Sequence, residues 1–209
     1  MFNPHSRIVI VADGNFPVNS IPLSYIRNAK KIICCDGSTE TLACSGFIPD
    51  AIVGDMDSLP RELETKFADR IYKDSDQETN DLTKAVNWCL AEGFDNLVIV
   101  GATGKREDHT IGNISLLAEY MLRTNVIMVT DTGFFIPLKE SSVIPSFEGQ
   151  QVSVFSIDIN TEITSVGLKY PLSRTKIHNW WQATLNESLG RSFRLDFNSG
   201  RLIVYLKFR

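Results

Sequence analysis

The chain has 209 residues, of which 43% are hydrophobic and 22% charged, values typical of a soluble globular protein with a sizeable core. Its formal net charge of −4 argues against a nucleic-acid-binding surface, which would need a basic stripe. The apolar run at residues 8–12 is too short for a signal peptide or a membrane span, so we expect a cytoplasmic protein that binds neither nucleic acid nor membrane.

The N-terminal part of the chain alternates strand-like and helix-like patterns. Apolar residues spaced three and four apart predict a helix from about Thr79 to Glu92 and a second helix after Asp108. Alternating strands and helices imply a parallel sheet covered by helices, so we predict an α/β domain over residues 1–132. Short apolar runs predict its strands at residues 7–12, 32–35, 51–53, 97–100 and 126–130.

After about Phe134 the helical periodicity fades, and short alternating runs predict β-strands. Asn198 and Gly200 predict a hairpin turn between the last two strands, because both residue types tolerate positive φ. We therefore predict a smaller C-terminal antiparallel β-sandwich domain over residues 143–209, after a linker at residues 133–142. The predicted strands are residues 152–157, 162–166, 193–197 and 202–208.

Two short stretches, residues 54–58 and 74–81, together hold six carboxylates. Like charges that a fold brings together repel and raise each other's pKa unless a cation lies among them. A hard divalent cation is the usual solution, most often Mg²⁺ with a phosphate-bearing substrate. The composition of these stretches therefore predicts a magnesium site.

The predicted fold brings several of these acids to one edge of the sheet. Asp36, Asp55 and Asp57 follow predicted strands, at the carboxyl ends where open α/β sheets bind ligands, and Asp81 lies near the start of a predicted helix. Asp55 and Asp57 are two residues apart, so extended backbone points them the same way. Aspartates also serve as N-caps and turn formers, but for Asp55, Asp57 and Asp81 together we favour a functional role.

A glycine-rich turn at residues 101–109 precedes the second predicted helix. Backbone N–H groups of such a turn can bind a phosphate, and Lys105 or Arg106 would add positive charge. The turn matches neither the Walker A loop nor the Gly-x-Gly-x-x-Gly motif, so by itself it is a weak signal.

In order and spacing, these motifs resemble those of the thiamine pyrophosphokinase family over nearly the whole chain. The resemblance implies a transferase that moves a pyrophosphoryl group from ATP to the hydroxyl of thiamine and releases AMP, with Mg²⁺. It also implies that the α/β domain is nucleotide-binding and that the β domain supplies part of a thiamine pocket in a homodimer. The segments that carry the resemblance are residues 35–37, 49–50, 53–59, 76–85, 101–110, 167–172 and 184–187.

The resemblance also implies roles for individual residues. The metal ligands are Asp55, Asp57 and Asp81. The catalytic residues are Asp81, Arg106 and Asp108, and the choice between the two aspartates as the group that orients or deprotonates the thiamine hydroxyl stays open. The nucleotide-binding residues are Asp36, Gly37, Gln77, Gly101, Thr103, Gly104 and Lys105. The thiamine-binding residues are Gln77, Tyr170, Thr184 and Asn186.

Two positions depart from the family pattern. Asn80 stands where a threonine is expected, and Leu185 stands where the family tends to have serine.

Two other classes of function compete with the one that the resemblance implies. A metal-dependent nucleotide-sugar transferase would also use Asp-x-Asp, but such an enzyme has no obvious role for residues 76–81 or for the β domain. A non-catalytic nucleotide or thiamine sensor has less need of so many carboxylates.

Overall fold

The structure, a computed structural model, describes residues 7–209, so the first six residues of the predicted N-terminal domain lie outside it. The described residues form two compact units. Residues 7–113 and 124–131 make up one, here called the α/β unit. Residues 114–123 and 132–209 make up the other, called the β unit.

The α/β unit contains a sheet in which every pair of neighbouring strands is parallel, as the alternating pattern predicts. Its strands are β1 (Ile8–Val11), β2 (Lys31–Cys35), β3 (Ala51–Gly54), β4 (Ile71–Lys73), β5 (Leu97–Val100) and β6 (Val126–Val129). They lie in the order β6-β5-β1-β2-β3-β4. All residues of β1, β3, β5 and β6 are buried, which explains why these strands are continuous apolar runs rather than alternating ones.

Helices connect these strands. They are α1 (Ser20–Arg27), α2 (Thr39–Cys44), α3 (Arg61–Lys66), α4 (Asp81–Ala91) and α5 (Glu107–Tyr120), which begins in this unit. Helix α4 begins where the side chain of Asn80 accepts a hydrogen bond from the backbone N–H of Thr83 at 2.9 Å. It ends before Gly93, whose φ of +75° terminates the helix. The Asn80 cap therefore makes Asp81 the first residue of α4, and Gly93 marks the end of the helix.

The β unit consists of antiparallel strands. They are β7 (Gly133–Leu138), β8 (Ser142–Pro145), β9 (Gln151–Ser156), β10 (Glu162–Val166), β11 (Thr175–Lys176), β12 (Asn186–Glu187), β13 (Ser192–Asp196) and β14 (Leu202–Lys207). Pairing joins β12, β9, β14 and β7 in that order, and separately β11, β10, β13 and β8. In β13, Phe193 and Leu195 are buried while Arg194 between them is exposed, the alternation of a strand with one face on a core.

The predicted mixed α/β fold class is confirmed. Residues 133–142, which the sequence predicts as a linker, contain β7, paired along its length with β14, and the domain division stays a prediction. The predicted hairpin is wrong, because β13 and β14 do not pair with each other. Gly200 does adopt a φ of +90°, so a turn forms there, but the chain leaves one set of strands and enters the other. Across residues 7–209, no helix combines the length and the apolarity that crossing a bilayer would require.

Candidate active site in the α/β unit

Three carboxylates converge at the ends of β2 and β3. One oxygen from each of Asp36, Asp55 and Asp57 lies within 4.8 Å of the others. Asp36 comes directly after β2, and the other two follow β3. Because β2 and β3 are parallel neighbours, their carboxyl ends lie side by side and bring the three side chains together.

Asp36 is the buried member of this acidic group, with a relative exposure of 2%. Its two carboxylate oxygens accept hydrogen bonds from the backbone N–H groups of Gly37 at 2.8 Å and Met56 at 2.9 Å. Burial, reinforced by the charge of Asp81, raises the pKa of Asp36, although both hydrogen bonds oppose the change. Gly54 makes room for the group, since a Cβ there would lie 2.6 Å from the Asp36 carboxyl carbon.

Asp55 is oriented by the turn in which it lies. One of its oxygens accepts the backbone N–H of Asp57 at 3.1 Å, and this hydrogen bond is the largest cause of the lowered pKa of Asp55. The other oxygen lies 3.5 Å from the side-chain nitrogen of Gln77. The more exposed Asp57 accepts a hydrogen bond from the hydroxyl of Ser58 at 2.8 Å. The two carboxylates therefore have defined directions before any ligand arrives.

Asp81, the third ligand predicted from sequence, has a different neighbour. Its Oδ1 lies 3.0 Å from the Nζ of Lys84, which also lies 3.9 Å from Asp55 Oδ2. The Lys84 side chain is only 3% exposed. Burial lowers the pKa of Lys84, but the hydrogen bond with Asp81 and the charges of Asp81 and Asp55 outweigh it, so the pKa is raised.

A cleft of about 310 Å³ adjoins these residues. Its polar lining residues include Asp13, Ser58, Asn80, Asp81, Lys105, Arg106, His109 and Asn113. The glycine-rich turn forms one wall and is fastened to the segment after β1, where the N–H groups of Gly14 and Asn15 donate to the carbonyls of Gly101 and Thr103. Within this wall Lys105 Nζ lies 2.7 Å from Asp13 Oδ1.

Arg106 and Asp108 form an exposed ion pair at the start of α5, with Arg106 Nε 3.1 Å from Asp108 Oδ1. The hydrogen bond from Arg106 lowers the pKa of Asp108 to about 2. A carboxylate with so low a pKa is a weak base, because the ideal catalytic pKa lies near the operating pH. While this pair persists, Asp108 is poorly suited to accept a proton.

The residues predicted to bind thiamine lie in the β unit, apart from Gln77. Asn186 is buried, and its amide accepts from the backbone N–H of Tyr170 at 3.0 Å and donates to the carbonyl of Tyr170 at 2.7 Å. The Tyr170 side chain is exposed. Thr184 donates its hydroxyl hydrogen to the carbonyl of Trp181, and the neighbouring Leu185 has a φ of +57°. The structure thus gives Asn186 a role in holding the Tyr170 backbone, while the ring stays exposed with Lys169 Nζ 6.0 Å from its centre.

Two charged residues of this site, Asp13 and Lys84, were missed by the sequence reasoning. Asp13-Gly14 directly after a strand repeats the pattern of Asp36-Gly37 and was a usable signal. Lys84 follows Asp81 by three residues, a spacing that places both on one side of a helix. Nothing in the sequence distinguishes this buried lysine from the solvated lysine that such spacing normally indicates.

Comparison of this sequence with family profiles and with known proteins gives the same family in both cases. Residues 23–130 match the profile "Thiamin pyrophosphokinase, catalytic domain", and residues 133–205 match "Thiamin pyrophosphokinase, substrate-binding domain". The thiamine pyrophosphokinase of Bacillus subtilis is 34% identical over 183 residues, which are 81% of this chain and 83% of that protein. Thiamin pyrophosphokinase 1 of Caenorhabditis elegans is 30% identical over 159 residues, covering 69% of this chain and 65% of that relative, slightly less than two thirds.

The fold is shared with solved structures. The crystal structure of thiamine pyrophosphokinase from Bacillus subtilis superimposes with a TM-score of 0.80 over 97% of this chain and 99% of that one. The superposed residues are 24% identical, so this likeness establishes the architecture and no more.

Proposed function

The chain belongs to the thiamin pyrophosphokinase family, and on that premise we propose that it transfers a pyrophosphoryl group from ATP to the hydroxyl of thiamine, yielding thiamine pyrophosphate and AMP. One observation carries the proposal for this chain's own residues, namely the acidic group at the ends of β2 and β3. Beside it lies a cleft lined by Lys105 and Arg106. Carboxylates next to a cleft that offers a lysine and an arginine suit a metal-bound polyphosphate.

Mg²⁺ is the metal that these residues fit, because it prefers oxygen ligands and takes one or two carboxylates together with substrate phosphates. Asp55 and Asp57 would hold it, with Asp36 as the third carboxylate within reach. When bound, the ion would neutralise phosphate charge during the transfer. Asp81, predicted from sequence as a ligand, pairs with Lys84, and this supports a role for it beside the metal group rather than within it.

Side chains of this protein would bind the phosphates, stabilise the leaving group and orient the thiamine hydroxyl. Lys105 and Arg106, at the N-terminal end of α5, would bind ATP phosphates with Gly101, Thr103 and Gly104 of the same turn, and Arg106 would oppose the negative charge that grows on the departing AMP. Asp81 would orient or deprotonate the thiamine hydroxyl. Asp81 lines the cleft, whereas Asp108 is held in the ion pair with Arg106, and this geometry supports Asp81 for the role.

In the β unit, Tyr170 would stack on the aromatic, cationic thiamine, and Asn186 would hold its backbone in place. Thr184 is a further proposed thiamine-binding residue of the β unit. Gln77, which lies 3.5 Å from Asp55 in the α/β unit, is proposed separately to bind nucleotide and thiamine. A cytoplasmic homodimer is part of the proposal. The dimeric state is supported by large apolar side chains exposed on the β unit, with relative exposures of 73% for Trp181, 74% for Leu185 and 57% for Leu189.

The decisive experiment incubates the purified protein with ATP, MgCl₂ and thiamine and separates the products by chromatography. We expect AMP and thiamine pyrophosphate in equal amounts, and no AMP when thiamine or MgCl₂ is omitted. Release of ADP, or turnover only with a nucleotide sugar, would contradict the proposal. Stabilisation by ATP or thiamine without any product would indicate a sensor instead.

A further inference from the structure

Lys84 is an unusual residue for its position. It lies on α4, and its side chain is 3% exposed, almost fully withdrawn from water. Burying an ammonium group is costly unless carboxylates compensate it. Among the described residues, the two carboxylates that pair with this ammonium within 4.0 Å, those of Asp81 and Asp55, belong to the proposed active site, and the charge of Asp74 acts on it from farther away.

The two carboxylates come from different elements. Asp81 is the first residue of α4, whereas Asp55 follows β3, against which α4 packs. Lys84 Nζ lies 3.0 Å from Asp81 Oδ1 and 3.9 Å from Asp55 Oδ2. The other oxygen of Asp55 accepts the backbone N–H of Asp57, so Lys84 faces the second oxygen, which also lies 3.5 Å from the side-chain nitrogen of Gln77. A single cation therefore bridges the start of a helix and the end of a strand.

We propose that Lys84 is a positioning residue, whose ammonium holds Asp81 and Asp55 at a fixed separation on the α4 side of the acidic group. This inference rests on the proposed function. Lys84 offsets one negative charge while leaving Asp36, Asp55 and Asp57 grouped for the divalent ion. It also fixes the direction of Asp81, the residue proposed to act on the thiamine hydroxyl.

Removing the ammonium has two opposite consequences. The acidic group gains one unit of net negative charge, so it attracts a divalent cation more strongly. At the same time Asp81 loses the partner that orients it, and misplacement of a reacting group lowers turnover. A lysine that merely stabilised the fold would not produce this combination.

The test compares Lys84→Met with the wild-type protein. We expect kcat to fall about 10- to 100-fold. Without substrates, the rise in Tm caused by MgCl₂ should be larger in Lys84→Met than in wild type. Lys84→Arg keeps the charge, so its Mg²⁺-dependent Tm rise should match wild type and its kcat should exceed that of Lys84→Met.

Lys31→Met is the matched control. Lys31 is also a lysine paired with an aspartate, at 3.2 Å from Asp50, but it lies at the amino end of β2, away from Asp36. Its kcat and Mg²⁺-dependent Tm rise should equal those of wild type. If Lys84→Met does not fold by circular dichroism, Lys84→Gln replaces it in the same comparison.

An equal Mg²⁺-dependent rise in Tm in Lys84→Met and wild type would overturn the positioning role, and so would an unchanged kcat. Failure of the proposed function gives a different result, because wild type itself would then form no thiamine pyrophosphate. In that case the substrate-free Tm comparison still tests the link between Lys84 and the acidic group.

Discussion

Asp57 is the most exposed member of the acidic group, so its substitution separates chemistry from folding. In Asp57→Asn the proposed metal site loses one negative charge while the side chain keeps its size. We expect kcat to fall about 100- to 1,000-fold, the range seen when one group that stabilises a transition state is removed. The Tm measured without Mg²⁺ should stay close to the wild-type value.

The control for this substitution is Asp95→Asn, an exposed aspartate just before β5, at the end of the sheet opposite the acidic group. Its turnover should equal that of wild type. Wild-type turnover in Asp57→Asn at saturating Mg²⁺ would remove Asp57 from the metal site.

A substitution of Tyr170 tests the proposed contact between this residue and thiamine. Its backbone is fixed by Asn186 while its ring is exposed, so Tyr170→Ala removes the ring and leaves the local backbone held. We expect the KM for thiamine to rise about 10-fold, in line with the loss of a desolvated cation–π contact. The KM for ATP should change little, and Tyr170→Phe should behave like wild type. An equal rise in both KM values would make Tyr170 a structural residue.

Individual site residues differed in how far the sequence could predict them. Asp55 and Asp57 could be predicted because the Asp-x-Asp pattern and the strand before it are both local signals. Lys84 could not be predicted, because its burial depends on how α4 packs against β3, which no local pattern encodes. Asp36 was predicted in part: the sequence placed it at the same sheet edge as Asp55 and Asp57, because all three follow predicted strands, but assigned it to the nucleotide, whereas the structure groups its carboxylate with theirs.

Among the secondary-structure elements, those with a clear apolar pattern could be predicted and those without one could not. Helix α4 and strand β5 match their predicted positions closely, since each carries a clear apolar pattern. Strand β4 has only three residues, and its apolar run of two, Ile71 and Tyr72, is too short to predict a strand. The turn before β14 was visible in Gly200, but turn residues specify a reversal and not the strand that the chain joins next.

An ion pair joins the segment after β9 to the segment before β14, and it predicts that the stability of the fold depends on pH. Asp158, just after β9, accepts hydrogen bonds from the backbone N–H of Arg201 at 2.8 Å and from its Nε at 3.1 Å, just before β14. The hydrogen bond from the Arg201 side chain is the largest cause of the lowered pKa of Asp158. A carboxylate with a lowered folded-state pKa stabilises the fold above its unfolded-state pKa, and the contribution disappears as pH falls through the folded-state value.

We therefore expect Asp158→Asn to reduce the free energy of unfolding at pH 7 by about 0.5–1 kcal/mol, a value discounted for the partial solvent exposure of the pair. Urea unfolding across pH 7 to pH 2 measures the difference. The gap between variant and wild type should narrow below about pH 4, as the wild-type carboxylate becomes protonated. A gap of constant size throughout would mean that the charge of Asp158 contributes nothing.

At the scale of the whole molecule, the order of strands and helices was enough to predict the mixed α/β fold. The contiguous division into residues 1–132 and 143–209 stays a prediction. In the structure residues 114–123 group with residues 132–209, so the compact units are not continuous in sequence. Periodicity identifies a helix in this region, but it does not specify which hydrophobic core receives the end of that helix.

Self-association is the property of the whole molecule that the proposal predicts. Exposed apolar residues on the β unit, Trp181 and Leu185 among them, are expected to be covered in a homodimer. Light scattering after size-exclusion chromatography should therefore give twice the mass of one chain. Leu185→Asp places a charge on this apolar surface, and an unpaired charge at a buried interface is costly, so it should shift the protein toward the monomer.

Ile48→Asp is the matched control, because Ile48 is an apolar residue with 61% exposure on the α/β unit. It should remain dimeric with unchanged turnover. If the dimer is needed to complete the thiamine site, the monomeric Leu185→Asp protein should lose thiamine-dependent AMP formation and recover part of it as protein concentration rises. A wild-type protein that is monomeric at every concentration and fully active would contradict the proposed assembly.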